Sequence, residues 1–161
     1  MLDQELRATL ANEPRRVMII VGAGVPLGAL RGTPYESSAS WGGLIRNGIA
    51  HAKGLGTLDA AEARNLASLL DSPKTGFWIA AANQLTEALG GRGNGDFRRW
   101  LHDSVGKFAP AVQDRSVLDV LAQLERLGVT LATVNYDSLL EDATGLPAVT
   151  WREPSKVERV L

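Results

Sequence analysis

The chain has no cysteine, and that absence removes both the disulfide framework and the thiolate zinc module. It also has almost no net charge. Its 17 Lys and Arg stand against 18 Asp and Glu, a formal −1 at pH 7, so no global field draws it to nucleic acid or to an anionic bilayer. No apolar run is long enough to cross a membrane, and the start, Met1 to Pro14, is charged and lacks the apolar core of a signal peptide. The expectation is a soluble, cytoplasmic protein whose 161 residues make one domain with a real core. Membrane anchoring, direct nucleic-acid binding and a metal site are not expected.

What is present is organised around one stretch, Val17-Met18-Ile19-Ile20-Val21-Gly22-Ala23-Gly24-Val25-Pro26-Leu27-Gly28. A short apolar, β-branched run flows without a polar break into closely spaced glycines, as a buried parallel strand does on meeting a phosphate-cradling turn. Without Cβ atoms, Gly22 and Gly24 let the chain turn sharply and let backbone N–H groups approach an anion. A tight turn with no ligand explains the same residues, because a glycine pair after a strand is a weak motif.

Before this stretch, Leu2, Leu6 and Leu10 mark an amphipathic helix that ends ahead of Glu13-Pro14. After it, Arg31 to Ser40 is a loop, and Ser40 is the N-cap of a helix with Leu44, Ile45, Ile49 and Ala52 inward. A second helix of this group starts near Asp59 with Ala63, Leu66, Ala67 and Leu70 inward. A third is capped by Thr75 and carries Trp78, Ala81, Ala82, Leu85 and Leu89. Gly90 to Gly95 is expected to be an exposed, mobile connection. Asp96 caps a fourth helix with Phe97, Trp100, Leu101, Val105 and Phe108 on one side. A fifth, from Ser116, shows Val117, Leu118, Leu121, Leu124 and Leu127 before Gly128. A second strand, Val129 to Val134, runs into Asn135-Tyr136-Asp137. A short helix, a turn at Gly145-Leu146-Pro147 and a third strand, Ala148 to Trp151, follow, and Arg152 to Leu161 is a loop leading into a short helix. The order predicts an α/β domain: a parallel sheet with right-handed crossovers and a helical insertion, about 41–127, between the first two strands. Only three strands are legible, so the sheet is expected to be incomplete at the C-terminus.

The glycine turn departs from the dinucleotide fingerprint, since the third glycine, Gly28, comes one place late and a helix occupies the place of the next strand and its acid. A hydride-transferring dehydrogenase is disfavoured, and no Gly-Lys-Ser/Thr follows to make a Walker loop. The second candidate is Thr133-Val134-Asn135-Tyr136-Asp137, at the carboxyl end of a strand, where open α/β sheets bind ligands. Asn135 offers donor and acceptor; Asp137 offers two acceptor oxygens for ribose hydroxyls or for capping the helix that starts at Ser138.

Gly22-Ala23-Gly24-Val25 after an apolar strand, Ser40-Trp41 with Leu44, and Thr133 through Glu141 together resemble the SIR2-like domain family, the sirtuin-related group of bacterial antiphage defence and immune-type proteins. The resemblance spans nearly the whole chain, 1–161. It implies a Rossmann-like domain that binds NAD and, in many members, hydrolyses the nicotinamide–ribose bond, depleting NAD in defence. It assigns Gly22, Ala23, Gly24 and Val25 to the pyrophosphate, Asn135 to catalysis beside the nicotinamide ribose, and Asp137 to support of the ribose site. It also implies a homo-oligomer and a C-terminal partner or sensor domain. Two departures matter. The lack of cysteine and the Gly24-Val25-Pro26-Leu27-Gly28 segment argue against protein deacylation, and the family's catalytic His-Gly pair is not found before Leu161, so this chain alone is expected to be inactive.

Neither histidine replaces that pair in the sequence pattern: His51 and His102 read as solvated helix residues. Trp78 and Trp100 read as core, as does Trp41 despite its place beside the proposed pocket. Arg92, Arg98 and Arg99 read as a solvated basic face. The competing function is a non-catalytic SIR2-like module for oligomerisation or nucleotide sensing; a small dinucleotide oxidoreductase is the third.

Overall fold

The computed structural model describes residues 2–150 and Glu153. Within them the chain is a mixed α/β protein, mostly helical, with one two-stranded parallel sheet. Helix α1 (Leu2–Asn12) leads through a 3-10 turn at Pro14–Arg16 into β1 (Met18–Val21), which is followed at once by α2 (Gly24–Ala29). Then come α3 (Trp41–Leu55), α4 (Ala60–Leu69), α5 (Thr75–Ala88), α6 (Gly95–Val105), α7 (Phe108–Ala111) and α8 (Ser116–Arg126), before β2 (Thr130–Thr133) and α9 (Leu139–Thr144). The strands pair in register from Met18 with Thr130 to Val21 with Thr133. No helix of the described residues is long and apolar enough to cross a membrane.

The predicted helical insertion is the body of the molecule, and its boundaries follow from local chemistry. Ser40 caps α3 as expected, its Oγ accepting the N–H of Gly43 at 3.0 Å. Asp59 and Glu62 form a reciprocal capping box on α4, with Asp59 Oδ1 accepting the Glu62 N–H at 2.8 Å and Glu62 Oε2 accepting the Asp59 N–H at 2.8 Å. The core gathers Leu44, Ile45, Ile49 and Ala52 of α3, Ala81 and Leu85 of α5, Trp100 of α6 and Phe108 of α7. α3 and α6 approach closely at Gly48, where an added Cβ would lie 2.5 Å from Leu85 Cδ2 and 2.7 Å from the Trp100 ring.

Several sequence expectations are corrected here. Gly24 to Ala29 is helical, because Pro26 falls in the first turn where its missing N–H costs nothing. Thr75 is the first helical residue of α5 and makes no capping bond. α6 is capped by Asn94 rather than Asp96, with Asn94 Oδ1 accepting the Asp96 N–H at 2.8 Å. The glycine-rich connection is exposed as expected apart from a half-buried Gly91, and turn bonds hold it: Gly90 and Gly91 take φ of 77° and 87°, Asn94 N–H donates to Gly91 O at 3.0 Å, and a Cβ on Gly90 would collide with the Asn94 amide. On α8 only Leu118, Leu121 and Ala122 are buried, while Val117, Val120 and Leu127 form a second apolar stripe that stays exposed.

The largest correction concerns the sheet. Ala148 to Thr150 form no strand; Trp151, and the predicted loop and short helix over 152–161 apart from Glu153, lie outside the described residues. Leu146 to Val149 instead run beside β2 across a hollow of about 560 Å³, also lined by Met18, Thr130 to Thr133 and Leu140. A proline at 147 lacks the N–H that a ladder there would need. The sheet is left with an open face, on which Met18 is 48% and Ile20 68% exposed, while Val21 points into the protein and is buried.

Candidate functional site

The parallel pairing brings the two sequence motifs to one end of the sheet. At that end the strands are tied to each other beyond the ladder. Val134 N–H donates to Val21 O at 3.3 Å, Thr133 Oγ to the same carbonyl at 3.3 Å, and the Asn135 N–H to Thr133 Oγ at 3.0 Å. Asn135 then reaches across, its Nδ2 donating to Gly22 O at 3.2 Å between residues 113 apart in sequence. That bond uses one amide hydrogen and orients the side chain, which keeps its carbonyl oxygen for another partner.

Beside this junction lies a cavity of about 310 Å³. Ala23, Asn135 and Asp137 line it from the motifs, and Ser38, Ser40 and Trp41 line it from the loop and the start of α3. Of the proposed phosphate-turn residues, Ala23 alone reaches the cavity wall. Gly22 is held against Asn135, Gly24 is exposed at the start of α2, and Val25 packs against the helical core. Neither Gly22 nor Gly24 has a positive φ, and a Cβ at either would have nothing within 4 Å. The expected need for glycine in turning the chain is therefore corrected: the backbone does not demand it, and what the two glycines leave is open space above the turn.

Asp137 serves α9 from one residue before the N-cap, Ser138, which makes no side-chain capping bond of its own. Its Oδ1 accepts the Leu139 N–H at 3.1 Å at the start of α9. It is also half-buried in the cavity wall, and burial pushes its carboxyl above the ordinary value of 3.8 against the lowering effect of that N–H; the charges of Glu141 and Asp142 add to the rise. Among the described residues Asp137 is the one charged side chain in the lining.

Trp41 corrects the expectation that it belongs to the core. It is 38% exposed and lines the cavity, with its ring 5.8 Å from that of Trp78 at 49°. Trp78 and Trp100 are packed as expected, and each indole N–H has a partner: Ser72 O at 2.9 Å and Asn47 Oδ1 at 3.1 Å. Arg92, Arg98 and Arg99 are exposed as read.

The histidines divide. His102 is exposed beside Asp103, as expected. His51 is not simply solvated: its Nε2 is buried without a hydrogen-bond partner in a separate small cavity with Asn47, Trp100, Asp103 and Ser104. Neither lines the cavity that holds Asn135. Sequence reasoning also missed Ser38, which is buried in that cavity's wall. The Ser37-Ser38 pair ahead of the Ser40 cap was the available signal. No cluster of three or more metal-ligating side chains occurs among the described residues. Comparisons with protein-family models, with curated proteins and with solved structures returned no match.

Proposed function

We propose that this chain is an NAD-binding domain of SIR2-like type, built on the first two strands of a Rossmann-like sheet. The observation that carries the reading is the Asn135–Gly22 hydrogen bond. It joins the two motifs at the carboxyl ends of paired parallel strands, where open α/β sheets take their ligands. The open space above Gly22 and Gly24 supports approach of a pyrophosphate to the backbone, since nothing in the fold itself requires glycine there.

In a complete site the reaction is hydrolysis of the nicotinamide–ribose bond. The leaving ring is already cationic, so its departure needs little acid help. What the protein must supply is stabilisation of an oxocarbenium-like centre and a positioned water. Asn135, pinned through Nδ2, has its carbonyl oxygen for the ribose hydroxyl or that water. Activity in defence through NAD depletion, assembly into homo-oligomers and a partner domain belong to the same reading.

A second reading, a nucleotide-sensing module without turnover, is favoured by one observation: among the described residues the cavity holds no histidine. Calorimetric titration of NAD into the chain tests both. Saturable binding is expected, weakened several-fold by Asn135→Ala, which removes one oriented polar partner, and more strongly by Gly24→Val, which puts bulk where an added Cβ has no protein atom within 4 Å. Asn135-dependent release of nicotinamide would favour the hydrolase; binding without it, the sensor. Unchanged binding by Gly24→Val would remove the turn from the site.

A further inference from the structure

Three features of the cavity bear on which part of a dinucleotide it takes. Among the described residues its lining contains no Lys, Arg or His, and its one carboxylate is that of Asp137. A diphosphate is poorly matched to that wall, whereas a cation is matched. The second feature is Trp41, an indole held partly open at the cavity when most large apolar rings of this body are packed away.

The third is how firmly Trp41 is held. Its backbone follows the Ser40 cap, whose Oγ both accepts from Gly43 and donates to Ser37 O at 3.0 Å. Behind the indole stands Trp78, itself fixed by the 2.9 Å bond from its Nε1 to Ser72 O. Trp78 fits there because position 42 is glycine: a Cβ on Gly42 would approach the Trp78 ring at 3.1 Å. An aromatic face held in place before ligand arrives loses little conformational freedom on binding. Indole is also the side chain whose face attracts cations most strongly.

We propose that Trp41 is a preorganised cation–π platform for the pyridinium ring of an oxidised nicotinamide nucleotide, with Asp137 as the countercharge in the same wall. The proposal rests on the NAD reading and adds a specificity to it. The oxidised ring is planar and cationic, whereas the reduced ring is neutral, so the platform selects the oxidised cofactor. After cleavage the departing nicotinamide is neutral and loses the same attraction, which favours its release.

The test uses the full chain with four probes: NAD+, NADH, the 1-methylnicotinamide cation and neutral nicotinamide. Binding is measured by calorimetry, and circular dichroism checks that each variant is folded. Wild type is expected to prefer the charged member of each pair by roughly two- to thirty-fold. Trp41→Leu should cut the preference to what Asp137 alone supplies, and Trp41→Phe, with a weaker but intact aromatic face, should retain more of it. A charged-ring preference that survives unchanged in both variants overturns the platform and leaves the NAD reading standing. If wild type binds neither dinucleotide, the NAD reading fails. The two small rings then decide the platform, which a Trp41-dependent preference for 1-methylnicotinamide supports and equal binding of the two overturns.

Discussion

Phe108 and Ile20 are both large apolar side chains that their elements present to one side, and they end in opposite environments, one 2% and the other 68% exposed. The difference divides the molecule into a helical body closed on itself and a sheet closed on one face. In the body, apolar stripes from α3, α5 and α6 meet each other within one insertion, and side-chain caps set where α3, α4 and α6 start. In the sheet, where β2 sets Leu131 and Ala132 between two threonines, β1 has the continuous apolar character of a strand buried on both faces, yet Met18 and Ile20 face outward among the described residues. The exposed second stripe of α8, Val117, Val120 and Leu127, repeats the pattern. Local sequence thus sufficed to close the body, while the sheet carries residues suited to a cover that β1 and β2 do not provide.

The comparison breaks most visibly in the body. Phe108→Ala removes a ring that lies edge-on to Tyr35 at 6.2 Å in the closed core, and about 3–5 kcal/mol of stability should go with it. Chemical denaturation measures this, and a loss below about 1 kcal/mol would show that the body is not the closed half.

Gly48→Ala sets two effects against each other. Alanine favours the helix by about 1 kcal/mol over glycine, but here its methyl would press on Leu85 and on the Trp100 ring. Trp100 is held by Asn47 at 3.1 Å and has little room to yield. Overpacking costs about 1–3 kcal/mol, so a net destabilisation of at most about 2 kcal/mol is expected. A stabilised variant would mean that α3 and α6 are free to move apart.

How much of this was legible beforehand follows the same division. The inward sets of α3 and α4, the Ser40 cap and the start of α4 near Asp59 could be read directly, because they depend on residues within one or two turns. The union of the glycine turn with Asn135 was also legible, as two motifs each following an apolar strand. The caps of α5 and α6 were misassigned where several polar residues compete within three positions, as Asn94 and Asp96 do. Trp41 was misplaced because its exposure depends on Trp78, which occupies the space behind it from another helix. The third strand was misread because Ala148 and Val149 have strand character while pairing depends on partners that local sequence does not name.

A smaller effect separates the halves at the site. Asp137 has a raised carboxyl pKa, so the folded chain binds its proton more tightly than the unfolded chain does. Below the ordinary value of 3.8 both states are protonated and burial carries no charge penalty. As pH rises through the interval up to the folded pKa the penalty grows, and above it the penalty is complete. Asp137→Asn removes that charge and keeps an oxygen to accept the Leu139 N–H. The variant should therefore be more stable than wild type near pH 7, with the advantage shrinking toward about pH 3. Paired denaturation curves check this, and an advantage that does not change with pH would remove burial of the charge as its cause.

The smallest effect is expected at Ile20, where Ile20→Thr keeps the β-branch that suits a strand and removes apolar surface. On an open face the change should alter stability by no more than about 0.5 kcal/mol. A loss of about 2 kcal/mol or more would show instead that Ile20 is buried in solution. Sedimentation would then identify the cover: a species that dissociates on dilution, more readily in the Thr variant, means a second copy of the chain, whereas a concentration-independent monomer means that further residues of the same chain close the face. In either case the contrast between Phe108 and Ile20 would reflect how much of the assembly surrounds each residue rather than any difference in what the two segments encode.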